Sequence, residues 1–294
     1  MGIATVAPPG SDPDLQASYE VCRRMHRRHD PTYYWATRRL PSDLRPPTHA
    51  LYGYVRTADE IVDGPRRLRD PEARMAALDA LEAELDCGLA NGRSRHPVVG
   101  ALVDAGTRHA LPLSELKAYM GSMRTDCSPV RIRTWEELEA YMHGSAGSVG
   151  RIMASLLEVP VRHHADFGRL GLAFQLTNFI RDAREDAELD RIYLPGDDRE
   201  RFGVSEADMT LSTATAEMRA MVAHEVGRAR GLFAGAQEAI TATPASVRPG
   251  VRIACAVYGR VLDQVEAMGY DVLGARSTLR PWQLPRAVMT ALRA

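Results

Sequence analysis

Apolar residues recur at helical spacing along nearly the whole chain, and long alternating runs bounded by Asn-Gly or Asp-Gly turns are missing. A period near 3.6 gives each segment one apolar stripe, so such a chain buries itself by packing helix on helix. The punctuation agrees. Ser11 can cap a helix running to about Arg28, and Pro46 and Pro47 open THALYGYVRTADEIVD, which stops at Gly64. Pro71 starts and Gly92 follows the Ala-rich PEARMAALDALEAELDCGLANG, the usual asymmetry of helix ends. Further helices are expected near 97–110, 113–125, 134–157, 164–186, 213–240, 249–268 and 282–293. The longest stretch without helical character runs from about Ala187 to Val204 and holds RIYLPGDD. No Gly/Ser linker or solenoid repeat divides the chain. The expectation is an all-α protein: a short flexible arm over residues 1–14, then one domain over 15–294 with a helix-lined interior.

Composition narrows the function classes. The chain carries 37 basic and 38 acidic side chains, a net charge of −1, so it has no overall basic footprint for nucleic acid. Hydrophobic residues at 45% exclude a disordered chain. Cys22, Cys87, Cys127 and Cys255 form no CxxC pair, which speaks against zinc and disulfide frameworks and for reduced thiols in a cytoplasmic protein. The N-terminus lacks a secretory pattern, and no stretch reaches the ~20 apolar residues of a spanning helix. A peripheral membrane contact stays open. Lys117 is the only lysine, so phosphate recognition falls to arginine and its bidentate fork. GxSxG, P-loop and GxGxxG motifs are absent, which removes the main supports for a serine hydrolase, a P-loop NTPase or a Rossmann dehydrogenase.

Two polar stripes remain. Tyr52, Arg56, Asp59 and Asp63 stand at offsets of four, seven and eleven, which fall on one face of a helix. Gln175, Asn178, Asp182 and Asp186 stand at offsets of three, seven and eleven and repeat the design, with Arg181 and Glu185 beside them. Carboxylates at i, i+4 can share a hard divalent cation, and Mg2+ takes few carboxylates together with water and phosphate oxygens. A single DxxxD is ordinarily a solvated face; two, each with amide, phenol or guanidinium neighbours, point to a diphosphate carried on metal ions. The stripes are expected to face each other across a bundle. Between them in sequence, YMHGSAGSVGRIM sets Gly144, Gly147 and Gly150 three residues apart, either for tight helix packing or for a cavity wall.

At these residues the chain resembles the squalene/phytoene synthase family. YYWATRRLPSDLRPPTHALYGYVRTADEIVD is similar to the family's first aspartate block, YMHGSAGSVG to its central block and LAFQLTNFIRDAREDAELDRIYLP to its second. The resemblance implies an isoprenoid-synthase-type helical bundle around a central cavity. It implies head-to-head condensation of two allylic prenyl diphosphates, geranylgeranyl or farnesyl, through a cyclopropyl intermediate with Mg2+. By position, Asp59, Asp63, Asp182 and Asp186 would hold two or three Mg2+. Arg56, Gln175, Asn178, Arg181 and Tyr258 would meet substrate, with His29 and Thr32 near the entrance, and Tyr52, Tyr141 and Tyr193 would be active-site tyrosines. NADPH use and oligomeric state are left open. Glu60 replaces a common Asp, Ser145 a common apolar residue, and Pro281 in STLRPWQLP a common basic one. These departures keep a second reading in play, a terpene synthase that ionises one prenyl diphosphate and cyclises or hydroxylates it.

Overall fold

The computed structural model describes residues 13–274, which are helical almost throughout. Packing divides the chain into two compact units after Leu111. The first contains α1 (Pro13–His29), α2 (Pro31–Thr37), α3 (Arg45–Asp63), α4 (Pro71–Asn91) and α5 (Pro97–His109). Proline begins four of these five helices at or next to a cap, where a missing N–H costs nothing. Asp70 accepts from the Glu72 and Ala73 amides, and Gly92 ends α4 in the left-handed region at φ 68°. Helices α1, α3 and α5 pack on one another, and they meet at Gly53. A β-carbon there would lie 2.9 Å from Cys22 Sγ and 3.4 Å from a Val98 methyl, so only glycine lets the three approach.

The second unit contains α6 (Leu116–Thr125), α7 (Trp135–Met142), α8 (Ser148–Leu156), α9 (His164–Arg181), α10 (Ala183–Glu188), α11 (Gly196–Phe202), α12 (Ala216–Gly235), α13 (Gln237–Ala242) and α14 (Arg248–Ala267). Helix α9 is its axis, packed by α7, α8, α12, α13 and α14. Leu172, Leu176 and Ile180 of α9 join Met218 and Val222 of α12 and Leu262 and Val265 of α14 in one buried cluster. Each such side chain contributes roughly 1.5–3 kcal/mol by leaving water. Between α7 and α8 the residues His143–Gly147 form a π-helical turn, a wide turn common beside functional residues.

The structure departs from the expected elements in several places. The helix expected over 134–157 is interrupted by the π-helical turn, and the one expected over 213–240 is two helices, α12 and α13. Pro13 and Asp14, expected in the flexible arm, already belong to α1. Helix α2 was not expected; Asp30 caps it by accepting from the Tyr33 amide at 2.8 Å, with Pro31 at its first position. The stretch 187–204 is only partly irregular: it contains the end of α10, α11 and strand β2 (Arg191–Ile192), which pairs in parallel with strand β1 (Val130–Arg131). Two-residue strands are too short to show a period of two. Finally, the helix expected over 164–186 is broken at Asp182. The expected helix 282–293, the STLRPWQLP stretch and arm residues 1–12 lie outside the described residues. Among the described residues, no helix is long and apolar enough to cross a membrane.

Candidate active site

Helix α3 carries Tyr52, Arg56, Asp59 and Asp63, as the spacing predicts. Arg56 donates to Glu60 Oε1 at 2.6 Å, one turn on, and His29 Nδ1 lies 3.6 Å from the same oxygen. Glu60, the departure from the common sequence, thus pairs with the guanidinium of the stripe. Burial works against the charge of Arg56, but the Glu60 hydrogen bond and the nearby Asp59 carboxylate outweigh it and raise its pKa. Burial, then Arg56, hold His29 below the usual imidazole range despite Glu60. Thr32 occupies the first turn of α2, and its side chain lies outside the described set.

Tyr52 is oriented by residues that sequence reasoning missed. Its ring stacks on His26 at 4.0 Å between centroids and 10° between planes. His26 and His49 share a hydrogen bond, Nδ1 to Nδ1 at 2.9 Å, and Tyr34 stacks on His49. Both imidazoles are buried. Burial, with the neighbouring imidazole, pushes His26 down to about 3; burial, with Arg23 and Arg45, pushes His49 down to about 4. One neutral ring therefore donates and the other accepts. Nothing in RRMHRRH or PPTHAL signals this pairing, because it joins two helices.

In the second unit Gln175 and Asn178 sit half-buried on α9, and the helix stops three residues later. Asp182 has φ −99° and ψ 12°, outside helical geometry, yet its amide still donates to Asn178 O and its carbonyl accepts from the Asp186 amide, both at 2.8 Å. The stripe continues across this break rather than along one straight helix. Consecutive side chains on a regular helix do not face each other. Here Arg181 nevertheless grips Asp182 with two hydrogen bonds, 2.7 and 2.5 Å. Tyr258 of α14 stacks on Phe174 of α9 at 4.2 Å, which places it against the helix that bears Gln175 and Asn178.

Tyr141 and Tyr193 converge on a residue that no motif marked. Asp126, buried at the end of α6, accepts from Tyr141 Oη at 2.5 Å on one oxygen and from Tyr193 Oη at 2.7 Å on the other. Arg191 donates to the Asp126 carbonyl at 2.7 Å. Phe179 of α9 stacks on Tyr193 at 4.0 Å. Burial, then the Asp126 carboxylate, drive the pKa of both phenols far above the usual value, with Asp186 adding to the effect on Tyr193. The tyrosines are therefore protonated donors. The Tyr141 hydroxyl is spent on Asp126, and the residue also borders a cavity of about 500 Å³ together with Ser122, His143 and Gly144. The small-residue segment after it serves close packing: a β-carbon on Gly150 would lie 2.8 Å from Phe167 O, and one on Gly171 2.5 Å from Ala146 O. Ser145, in the same turn, is buried and its Oγ makes no hydrogen bond among the described residues.

One further cluster brings together a carboxylate of α11 with an imidazole and a carboxylate of α12. Asp198, His224 and Glu225 each offer a ligand atom within 4.8 Å of the others. Arg228 already bonds Asp198 and, at 2.9 Å, Glu225, and its guanidinium lies 4.6 Å from the Trp135 ring centre. Burial pushes Glu225 up to about 8, so it keeps its proton near neutrality. With a guanidinium in the cation's place, this group reads as a structural network joining α11 to α12.

The geometry can be set beside known proteins. A squalene/phytoene synthase family profile matches residues 26–283. The chain is 32% identical to the phytoene synthase of Arthrospira platensis, over 93% of this chain and 93% of that one. It is 33% identical to the phytoene synthase of Thermus thermophilus, over 97% and 96%. In fold it is similar to a dehydrosqualene synthase solved in complex with ligand, with a TM-score of 0.88 and 23% identity over 95% of this chain and 97% of that one. Squalene synthase HpnC from Alicyclobacillus acidocaldarius superposes with a TM-score of 0.79 and 29% identity, over 89% and 98%.

Proposed function

We propose, since the chain belongs to the squalene/phytoene synthase family and is a prenyltransferase, that it joins two allylic prenyl diphosphates head to head with loss of diphosphate. Residues 15–294 act as one catalytic domain, because the family match runs from 26 to 283, through both compact units. The observation that carries the reading is the pair of DxxxD stripes, Asp59 and Asp63 on α3 with Arg56 on the same face, and Asp182 and Asp186 after α9 with Arg181 bonded to Asp182.

The donor set of Asp59, Asp63, Asp182 and Asp186 is all oxygen, which suits a hard cation such as Mg2+. When bound there, two or three Mg2+ would neutralise the departing diphosphate. The side chains do the rest. Arg56, Arg181, Gln175, Asn178 and Tyr258, with His29 and Thr32, hold diphosphate oxygens. The C–O bond of one substrate breaks and its electron pair leaves with diphosphate. The double bond of the second substrate attacks the allylic cation, and loss of a proton closes the cyclopropane; the second diphosphate then leaves with its electron pair, the ring rearranges, and loss of a further proton gives a phytoene-type hydrocarbon, or hydride from a nicotinamide a squalene-type one. Tyr52, Tyr141 and Tyr193 present aromatic faces, each worth ~0.5–2 kcal/mol to a nearby cation. Geranylgeranyl diphosphate and phytoene fit better than farnesyl diphosphate and a squalene-type product, because relatives that match over more than nine-tenths of both chains are named phytoene synthases.

The test is incubation with geranylgeranyl or farnesyl diphosphate and Mg2+, with and without NADPH, followed by mass spectrometry. Condensation doubles the carbon number. A cyclised or hydroxylated product of unchanged carbon number replaces this reading with the terpene synthase.

A further inference from the structure

Asp126 caps the end of α6, and each oxygen of its carboxylate accepts from a different phenol: Oδ2 from Tyr141 at 2.5 Å, Oδ1 from Tyr193 at 2.7 Å. All three side chains are buried. The main chain beneath them is held too, because buried Arg191 donates to the Asp126 carbonyl at 2.7 Å. The short parallel bridge accounts for this. Arg191 and Tyr193 stand two residues apart on β2 and its continuation, so they share one side, and both reach Asp126. The rings pack as a trio: Tyr193 stacks on Phe179 at 4.0 Å, and Tyr141 lies tilted, 5.3 Å from Tyr193 and 6.0 Å from Phe179.

Packing alone would hold three aromatic rings together. A buried carboxylate is costly unless its oxygens are bonded, so its presence among them calls for a reason. What it adds is direction, since both of its oxygens take a hydrogen and both hydroxyls turn toward it. We infer that Asp126 is a positioning residue for the proposed reaction: it takes up both hydroxyls, so that Tyr141 and Tyr193 meet the allylic cation as ring faces and exchange no proton with it. A ring face attracts a cation without reacting with it. A loose hydroxyl in the same place would hold the water that captures the cation. The role rests on the proposed function; the bonding does not.

Asp126→Asn separates direction from packing. The amide keeps the shape of the carboxylate but replaces one acceptor with a donor, so one phenol loses its acceptor. The purified variant is expected to keep its helical circular dichroism and a KM for prenyl diphosphate within about twofold of wild type. Turnover to condensed hydrocarbon should fall about ten- to a hundredfold, as for a misplaced group in a site. Alcohols, formed when water adds to the cation and gives up a proton, should rise as a share of product. Adding Tyr141→Phe removes the surplus hydroxyl, so the double variant should give the product mixture of Tyr141→Phe alone. Proton magnetic resonance needs no substrate: two low-field hydroxyl signals protected from exchange are expected, Tyr141→Phe removing one, Tyr193→Phe the other, and Asp126→Asn shifting both. Wild-type turnover and products in Asp126→Asn overturn the proposal, as does a double variant whose products differ from those of Tyr141→Phe. Should Asp126→Asn not fold, Tyr141→Phe and Tyr193→Phe carry the test, since each loosens one ring and keeps its face. Both should broaden the product mixture at unchanged KM, and a wild-type mixture in both overturns the proposal. Wild-type protein that shows both signals but forms no condensed product strikes the reaction; the bonding then stands, and the role falls with the reaction.

Discussion

A carboxylate that accepts from two buried phenols holds both rings at once. Tyr141 comes from α7 and Tyr193 follows β2, so Asp126 ties three separate elements together. Hydrogen bonds to a charged acceptor contribute about 1.5–3 kcal/mol each. Tyr141→Phe should therefore lower unfolding free energy by about 2 kcal/mol, and Asp126→Asn, which weakens both bonds, by about 3 kcal/mol, read from urea titrations. On the proposed mechanism the leaving group depends on the stripes, so Tyr141→Phe should change the product mixture more than the rate of diphosphate release. An unchanged mixture at an unchanged rate would make Tyr141 a packing residue. The stripes carry a sharper expectation. Asp59→Asn or Asp182→Asn should cut turnover by about 10²–10³, the usual penalty for removing one group that stabilises developing charge. Helical content should stay constant and the Mg2+ requirement should shift. Full activity in either purified variant would sink the assignment.

At the scale of elements, the readable features are those with local chemistry. The ends of α3, α4 and α5 are written in proline, aspartate and glycine, whose effects act within one turn. Asp182 breaks α9 without proline or glycine nearby in FIRDARED, so spacing alone extends the stripe through a straight helix. Asp126 stands in MRTDCSP, where nothing local distinguishes a buried acceptor from a surface residue. Likewise Gly144, Gly147 and Gly150 announce closeness to something, but the partners lie on other helices: Ala118 and Ser122 of α6 for Gly144, and Leu172, Phe167 and Gly168 of α9 for the other two. The structure shows close packing at Gly147 and Gly150, while Gly144 both packs on α6 and borders a cavity of about 500 Å³, and the packing can be measured. Gly171→Ala would drive a methyl against the Ala146 carbonyl and should destabilise by about 1–3 kcal/mol. Ser145→Ala removes a buried hydroxyl without a partner and should leave stability unchanged or raise it by up to ~1 kcal/mol in the same titration. A loss above that size would show that the hydroxyl is satisfied.

At the scale of the whole molecule, the two compact units place opposite limits on the pH range of the fold. In the first, His26 and His49 titrate near 3 and 4 when folded, against about 6.5 when unfolded. A depressed imidazole pKa means that the unfolded chain takes up protons first. The stability these rings contribute is complete above about pH 6.5 and drains as pH falls toward 3, by roughly 3 kcal/mol per ring at pH 4. In the second unit Glu225 titrates near 8 when folded. A raised carboxyl pKa works the other way: its contribution is complete below the unfolded value of 4.5 and is lost as pH climbs to about 8. Stability should thus decline on both sides of a middle range. Two substitutions separate the causes. His49→Gln keeps a hydrogen-bonding side chain without an imidazole proton and should flatten the acid limb alone. Glu225→Gln keeps the shape and the neutral state, and should flatten the limb between pH 5 and 8 while leaving the acid limb as it was. Denaturant midpoints across the pH range read both. An acid limb that persists in full in the His49 variant would show that carboxylate protonation, not the buried imidazole pair, sets it; a Glu225→Gln profile parallel to wild type would show that Glu225 is ionised in the folded protein, held by Arg228.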